Sequence, residues 1–258
     1  MLKTNPLIPD YGPYHDYPTE PIGGSNPYYR CCACGASDPQ INGTLSGHFS
    51  GCDWVASKIY TLMEAQRVKS IKQEQLEQLA QQARAAKLTP HLASQAKNFV
   101  FGTGNANAQL VLVGEAPGAK EDEKAEPFVG QSGQLLNKVL HNAGLSRQDV
   151  YITNTVKYRP PNNRNPKHEE IASFLPILLQ ELAIIKPKLV VTLGKYPLKA
   201  LSPKLVLREA RGKSYPSAQA GHNWELFPTY HPAATLYNRS LEPVLQADFQ
   251  AIAKKLKT

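Results

Sequence analysis

The sequence predicts an α/β fold of three layers, α/β/α, around a central, mostly parallel four-stranded sheet. Three observations carry that expectation. From about Phe99 onward, short apolar runs rich in β-branched residues recur, amphipathic stretches with helical spacing separate them, and each run ends at a Gly or a polar residue. A short run that is apolar throughout is the pattern of a strand covered on both faces. Strands that alternate with helices pair in parallel, with their functional loops at the carboxyl ends.

The expected strands are Leu110-Val111-Leu112-Val113, Val150-Tyr151-Ile152, Leu189-Val190-Val191-Thr192-Leu193 and Glu225-Leu226-Phe227-Pro228. Between the first two, Leu135, Leu136, Val139, Leu140 and Ala143 share one helix face, which Gly144 closes. Ile171, Phe174, Leu175, Leu178, Leu179 and Leu182 mark a second helix, and Leu245, Phe249, Ile252 and Leu256 a last one. Upstream, residues 1–30 hold six prolines and five tyrosines, too broken for regular elements, and read as an extended arm that packs on a neighbour. A cysteine-bearing knot from Cys31 to about Trp54 follows, then helical patterning over 56–70 and 73–88. The expected organisation is an N-terminal arm with a Cys/His site (1–58), a helical segment (59–98) and an α/β domain (99–258), without internal repeats.

With 258 residues, 41% hydrophobic and 19% charged, the chain has the composition of a soluble globular protein long enough for one α/β domain and an extension. No apolar stretch approaches the roughly 18 residues of a membrane span. The first residues lack the apolar centre of a secretory signal, so a cytoplasmic location with reduced thiols is expected, as a monomer and without a membrane partner. The net charge of +8 suits an anionic partner such as nucleic acid, because Lys and Arg displace counterions from phosphates. Solubility alone also accounts for it, and the tail Lys254-Lys255-Leu256-Lys257 reads as solvated.

Gly114-Glu115-Ala116-Pro117-Gly118 presents a carboxylate on a Gly/Pro-shaped loop directly after the first strand. Alone, such a loop is as readily a structural turn. Here Glu121-Asp122, Pro127-Phe128-Val129-Gly130 and Ser132-Gly133-Gln134-Leu135-Leu136 follow it. Thr153-Asn154 ends the second strand, thirty-nine residues after Glu115, and His231-Pro232-Ala233 follows the last. In this order, over about the last two thirds of the chain, these motifs resemble those of the family 4 uracil-DNA glycosylases.

The resemblance implies a role for each group. Glu115 positions and polarises the attacking water, with Glu121 in support, and Gly114 and Gly118 shape the substrate loop. Phe128, otherwise an ordinary core ring, stacks on a flipped-out base. Asn154, otherwise a capping or turn residue, reads the pyrimidine: its amide offers both an acceptor and donors, which match the N3 hydrogen and O4 of uracil and not the inverted edge of cytosine. His231 donates to uracil O2 as charge builds on the leaving base. After His231 the chain departs from the family, with Ala234-Thr235-Leu236-Tyr237-Asn238-Arg239 where two leucines and an arginine are usual. Leu236 or Tyr237 is then the wedge that enters the DNA minor groove, and Arg239 supplies the positive charge.

Lys157-Tyr158-Arg159-Pro160-Pro161-Asn162-Asn163-Arg164 resembles the family's K-C-R-P-P-x-N-R stretch with its cysteine changed. The family holds an iron–sulfur cluster on four cysteines; the matching positions here are Ala83, Ala86, Tyr158 and Phe174. Thiolate ligation cannot be rebuilt from these side chains. No cluster is expected at that site, its pocket is expected to be filled by packing, and Arg159 and Arg164 remain candidates for phosphate contact.

The four cysteines of the chain, Cys31, Cys32, Cys34 and Cys52, all lie upstream. Cys31-x2-Cys34 with His48-x3-Cys52 makes a tetrahedral ligand set suited to a structural zinc. The alternatives are Cys32 in place of one ligand, a cluster relocated to the four cysteines, or reduced thiols without metal. The function expected is monofunctional, base-flipping excision of uracil from DNA. Its rivals are a catalytically inactive glycosylase fold that binds DNA or a replication or repair protein through the arm, and a glycosylase for another deaminated base.

Overall fold

The computed structural model describes residues 19–22, 28–31, 53–217, 219, 221 and 223–257, with backbone only for 19–22, 28–31, 53–59 and 70. The chain divides into two units, Met1–Ser70 and Ile71–Thr258. In the first unit, β1 (Thr19–Ile22) pairs antiparallel with β2 (Tyr28–Cys31). This hairpin corrects the expectation that the Pro/Tyr-rich segment holds no regular element: Pro21 lies within β1, where an edge strand tolerates a residue without an N–H. Helix α1 (Asp53–Ala85) begins in the first unit and ends in the second. It is one helix rather than the two expected, because Ser70-Ile71-Lys72 contains neither Gly nor Pro to end it. A short α2 (Pro90–Ala93) follows.

The four expected strands form the centre of the sheet in the second unit. They are preceded by β3 (Thr103–Gly104), and β4 (Leu110–Gly114) leads to α3 (Ala119–Lys124) and α4 (Gln131–Asn142). Next come β5 (Val150–Asn154), α5 (His168–Ile185), β6 (Leu189–Leu193), α6 (Lys195–Leu201), α7 (Leu207–Ala210), β7 (Tyr215–Pro216), β8 (Glu225–Thr229), α8 (Pro232–Tyr237) and α9 (Glu242–Leu256). The strand order is β3-β5-β4-β6-β8-β7. The inner four are parallel, and β3 and β7 add antiparallel edges, so the sheet has six strands rather than four. Two-residue edges leave no period-2 signature in a sequence; their neighbours create them.

Alternation along the strands sorts the side chains into two cores. Val111, Val113, Tyr151, Val190 and Leu226 face Leu178, Leu182 and Ile185 of α5 with Leu198 and Leu201 of α6. Leu110, Leu112, Val150, Ile152, Leu189, Val191 and Phe227 face Leu136, Val139 and Leu140 of α4 with Leu245, Phe249 and Ile252 of α9. Burying a side chain of this kind stabilises by about 1.5–3 kcal/mol. Helices on both faces complete the three layers. A third core joins Ala83, Leu92, Phe99, Val156, Tyr158 and Phe174. Among the described residues no helix is long and apolar enough to cross a membrane.

Candidate active site

The register that aligns the strands also aligns their loops. Gly114 pairs with Asn154, and Leu193 with Thr229, so Glu115, Asn154 and His231 leave the sheet along one edge. Because β4 has β5 on one side and β6 on the other, successive connections diverge there, which opens the crevice where such sheets bind ligands. A cavity of about 370 Å³ lies at that place, lined among others by Glu115, Gly118, Glu121, Phe128, Asn154 and His231. The sequence also picks out Arg164 and Tyr237 from its lining, while Ser132, Pro160 and Asn163 stand in the motifs without a role of their own, and the structure places them in the lining.

Phe128 holds a φ of +54°, a region that a bulky side chain occupies only when its surroundings impose it. Here Glu121 Oε1 accepts the N–H groups of Val129 and Gly130 at 2.9 and 2.7 Å. Arg147 donates to the carbonyls of Pro127 and Phe128 at 2.7 and 3.1 Å. Gly133 admits the loop, since a Cβ there would strike the Phe128 carbonyl. The imposed conformation lays the Phe128 ring against that of His231, centroids 5.5 Å apart and 28° from parallel. Arg147 had no motif to reveal it; it becomes a site residue only because its guanidinium reaches carbonyls twenty residues away.

Asn154 is 2% exposed, and its Oδ1 has no partner among the described residues. An unmade buried hydrogen bond costs about 1–3 kcal/mol, so this acceptor is poised for a donor from outside the chain. Gly114 makes its placement possible: a Cβ there would strike Asn154 Oδ1 and come within 2.6 Å of the Phe128 ring. His231 Nδ1 accepts the Ala233 N–H at 3.1 Å, which leaves the proton of a neutral ring on Nε2. Burial pushes its pKa down to about 4, with Glu121 opposing, so the ring is a neutral donor at physiological pH. Burial pushes the Glu115 carboxyl up to about 7, with Lys195 opposing. Behind the last strand, Thr229 donates to Asp248 Oδ2 at 2.6 Å and Arg211 pairs with Asp248 Oδ1 at 2.7 Å, bracing the approach to His231.

A family model described as the uracil DNA glycosylase superfamily matches residues 101–257. The chain belongs to that superfamily. Type-4 enzymes are among its relatives: the type-4 uracil-DNA glycosylase of Saccharolobus solfataricus is 42% identical over 168 residues, covering 63% of this chain and 78% of the relative. That of Pyrobaculum aerophilum is 46% identical over 60% of this chain and 79% of its own length. A type-5 uracil-DNA glycosylase of Thermus thermophilus is 32% identical, over 51% of this chain and 68% of the relative.

In this glycosylase frame the rim is made by α8 and the segment after β5. Tyr237 is 93% and Leu236 48% exposed on α8, and Arg239 is exposed just beyond it. Arg159 Nε donates to Asn163 Oδ1 at 2.7 Å. Arg164 forks onto Glu170 at 2.6 and 2.9 Å, and this pairing leads in holding the Glu170 carboxyl down to about 2. Much of the Arg164 charge is therefore neutralised within the chain, which the motif did not reveal.

Three of the four positions that match the family's cluster ligands, Ala83, Tyr158 and Phe174, are packed as a core. Phe174 is 0% and Ala83 1% exposed, Tyr158 meets Phe174 edge-to-face at 6.0 Å, and Phe99 meets Tyr158 at 5.1 Å. Ala86 is exposed. Aromatic rings occupy the space, and none of these four side chains is a thiolate donor, so these residues do not fit an iron–sulfur cluster. Of the expected zinc ligands, Cys34, His48 and Cys52 lie outside the described residues, and Cys31 is described by its backbone alone.

Proposed function

We propose that this chain excises uracil from DNA, hydrolysing the N-glycosidic bond of a flipped-out deoxyuridine without a lyase step. The observation that carries the reading is a single cavity in which an unpartnered buried amide oxygen, an aromatic ring, a neutral imidazole and a carboxylate converge. Extrusion of a base from the stack costs a few kcal/mol, offset by stacking and phosphate contacts. Phe128 stacks on the ring of the extruded uracil. Asn154 Oδ1 accepts its N3 hydrogen and the amide nitrogen donates to O4, a pattern that cytosine cannot meet. As the bond to C1′ stretches, the electron pair moves onto the base, and the Nε2 proton of His231 stabilises the anion forming at O2. Glu115, ionised, orients water toward the oxocarbenium-like C1′ and takes its proton as the new C–O bond forms. Glu121 keeps Phe128 in place, and Leu236, Tyr237 and Arg239 engage the duplex.

The apolar packing of Ala83, Tyr158 and Phe174 supports a catalyst with no iron–sulfur cluster at the family's site. The spacing of Cys31, Cys34, His48 and Cys52 supports a structural zinc. The family match from residue 101 supports a glycosylase domain at 99–258. The test is release of free uracil from single- and double-stranded DNA by the wild type beside Asn154→Ala and His231→Ala. Uracil release by the wild type that falls at least 100-fold in both variants is expected. A wild type that binds DNA and releases no base makes the chain a binding module, and a different released base, identified by mass, makes it another glycosylase.

A further inference from the structure

One set of buried polar groups that the mechanism leaves unused forms a network beneath the base-reading residue. Lys157 and Glu181 are both fully buried and paired with each other. The Lys157 ammonium has three protons and three acceptors: Glu181 Oε2, Thr153 Oγ1 at 2.7 Å and the Asn154 carbonyl at 3.0 Å. Glu181 Oε1 in turn accepts from Tyr151 and Thr153 hydroxyls, each at 3.0 Å, and the Phe101 ring lies 5.2 Å from the ammonium. Every strong donor is met. Such a buried pair is weak evidence for stability, since apolar side chains of similar volume often serve as well.

Its placement suggests what it does instead. Thr153 faces α5, and Asn154, the next residue, faces the cavity on the opposite side of the strand. The network grips both, by the Thr153 hydroxyl and the Asn154 carbonyl, at the last residues of β5. Just beyond, Thr155 N–H and Val156 N–H donate to the carbonyls of Gly114 and Glu115 at 2.9 and 3.0 Å, tying the same segment to the catalytic loop. We infer that Lys157 and Glu181 are positioning residues that fix the amide of Asn154 for base recognition. The inference rests on the reading of Asn154 given above.

The test uses the full chain with Lys157→Met/Glu181→Leu, which removes both charges, and the isosteric Glu181→Gln. Single-turnover uracil release is measured in each, in Asn154→Ala, and in Asn154→Ala combined with each, beside thermal unfolding and affinity for DNA carrying an abasic site. Displacement of a reacting group by about 1 Å costs on the order of 100-fold. The expected result is a 10- to 100-fold slower chemical step, unchanged affinity for abasic-site DNA, and no further loss when the changes are added to Asn154→Ala. Non-additivity of this kind marks residues that act through one another. Wild-type rates in a folded double variant overturn the inference, as does the same fold-loss with Asn154 already removed. If the double variant does not fold, Glu181→Gln decides by the same two comparisons. A wild type that releases no uracil overturns the site reading instead, so the two failures are distinct.

Discussion

Glu115→Gln tests the electrostatics of the site on two observables at once. In the folded chain burial lifts the Glu115 carboxyl from its ordinary 4.5 to about 7. The native state therefore holds a proton between these values that the unfolded chain has lost, and stability falls as pH rises from about 4.5 through 7. The full displacement corresponds to about 3 kcal/mol, and partial solvation of the carboxyl cuts this to on the order of 1–2 kcal/mol. Glutamine cannot ionise. At pH 8 Glu115→Gln is expected to unfold about 2–8 °C above the wild type, and at pH 4 to unfold with it. Activity moves oppositely: wild-type uracil release falls tenfold per pH unit below about 7, while the variant is at least 100-fold slower and flat. His231, titrating near 4, adds no step between pH 5 and 9. Thermal unfolding at both pH values and initial rates from pH 5 to 9 provide the check. A wild-type profile flat across that range, or a variant no more stable at pH 8, refutes the reasoning.

Gly114→Ala puts a methyl group against Asn154 Oδ1 and the Phe128 ring; uracil release should drop at least 100-fold while affinity for undamaged DNA holds, as a binding titration shows. Phe174→Ala opens the third core and should cost about 3–5 kcal/mol in denaturant unfolding, and purified wild type should carry no iron at the family's site by elemental analysis and keep its activity in iron chelators. Tyr237→Ala removes a side chain that is 93% exposed; stability should change by less than about 0.5 kcal/mol, with activity on duplex falling more than on single-stranded DNA in parallel rate measurements.

The four central strands, the helix faces of α4, α5 and α9, and the placement of Glu115, Phe128, Asn154 and His231 on loops at the carboxyl ends of the strands were legible in the sequence. A strand buried on both faces writes its burial into a run of apolar residues, and a loop shaped by Gly and Pro keeps its motif whatever surrounds it. Tertiary structure alone decided how those groups are tuned and held. The φ of Phe128 is imposed by Glu121, Arg147 and Gly133 from three different segments. The titration of Glu115 and the tautomer of His231 follow from burial and from one backbone N–H. Arg164 stands as a candidate for phosphate contact until Glu170 appears beside it, and no motif marks Lys157 and Glu181 as partners until the fold encloses them. Local pattern reports which face of an element is apolar; it carries no record of which distant polar group will meet another, because that meeting is made by packing of the whole chain.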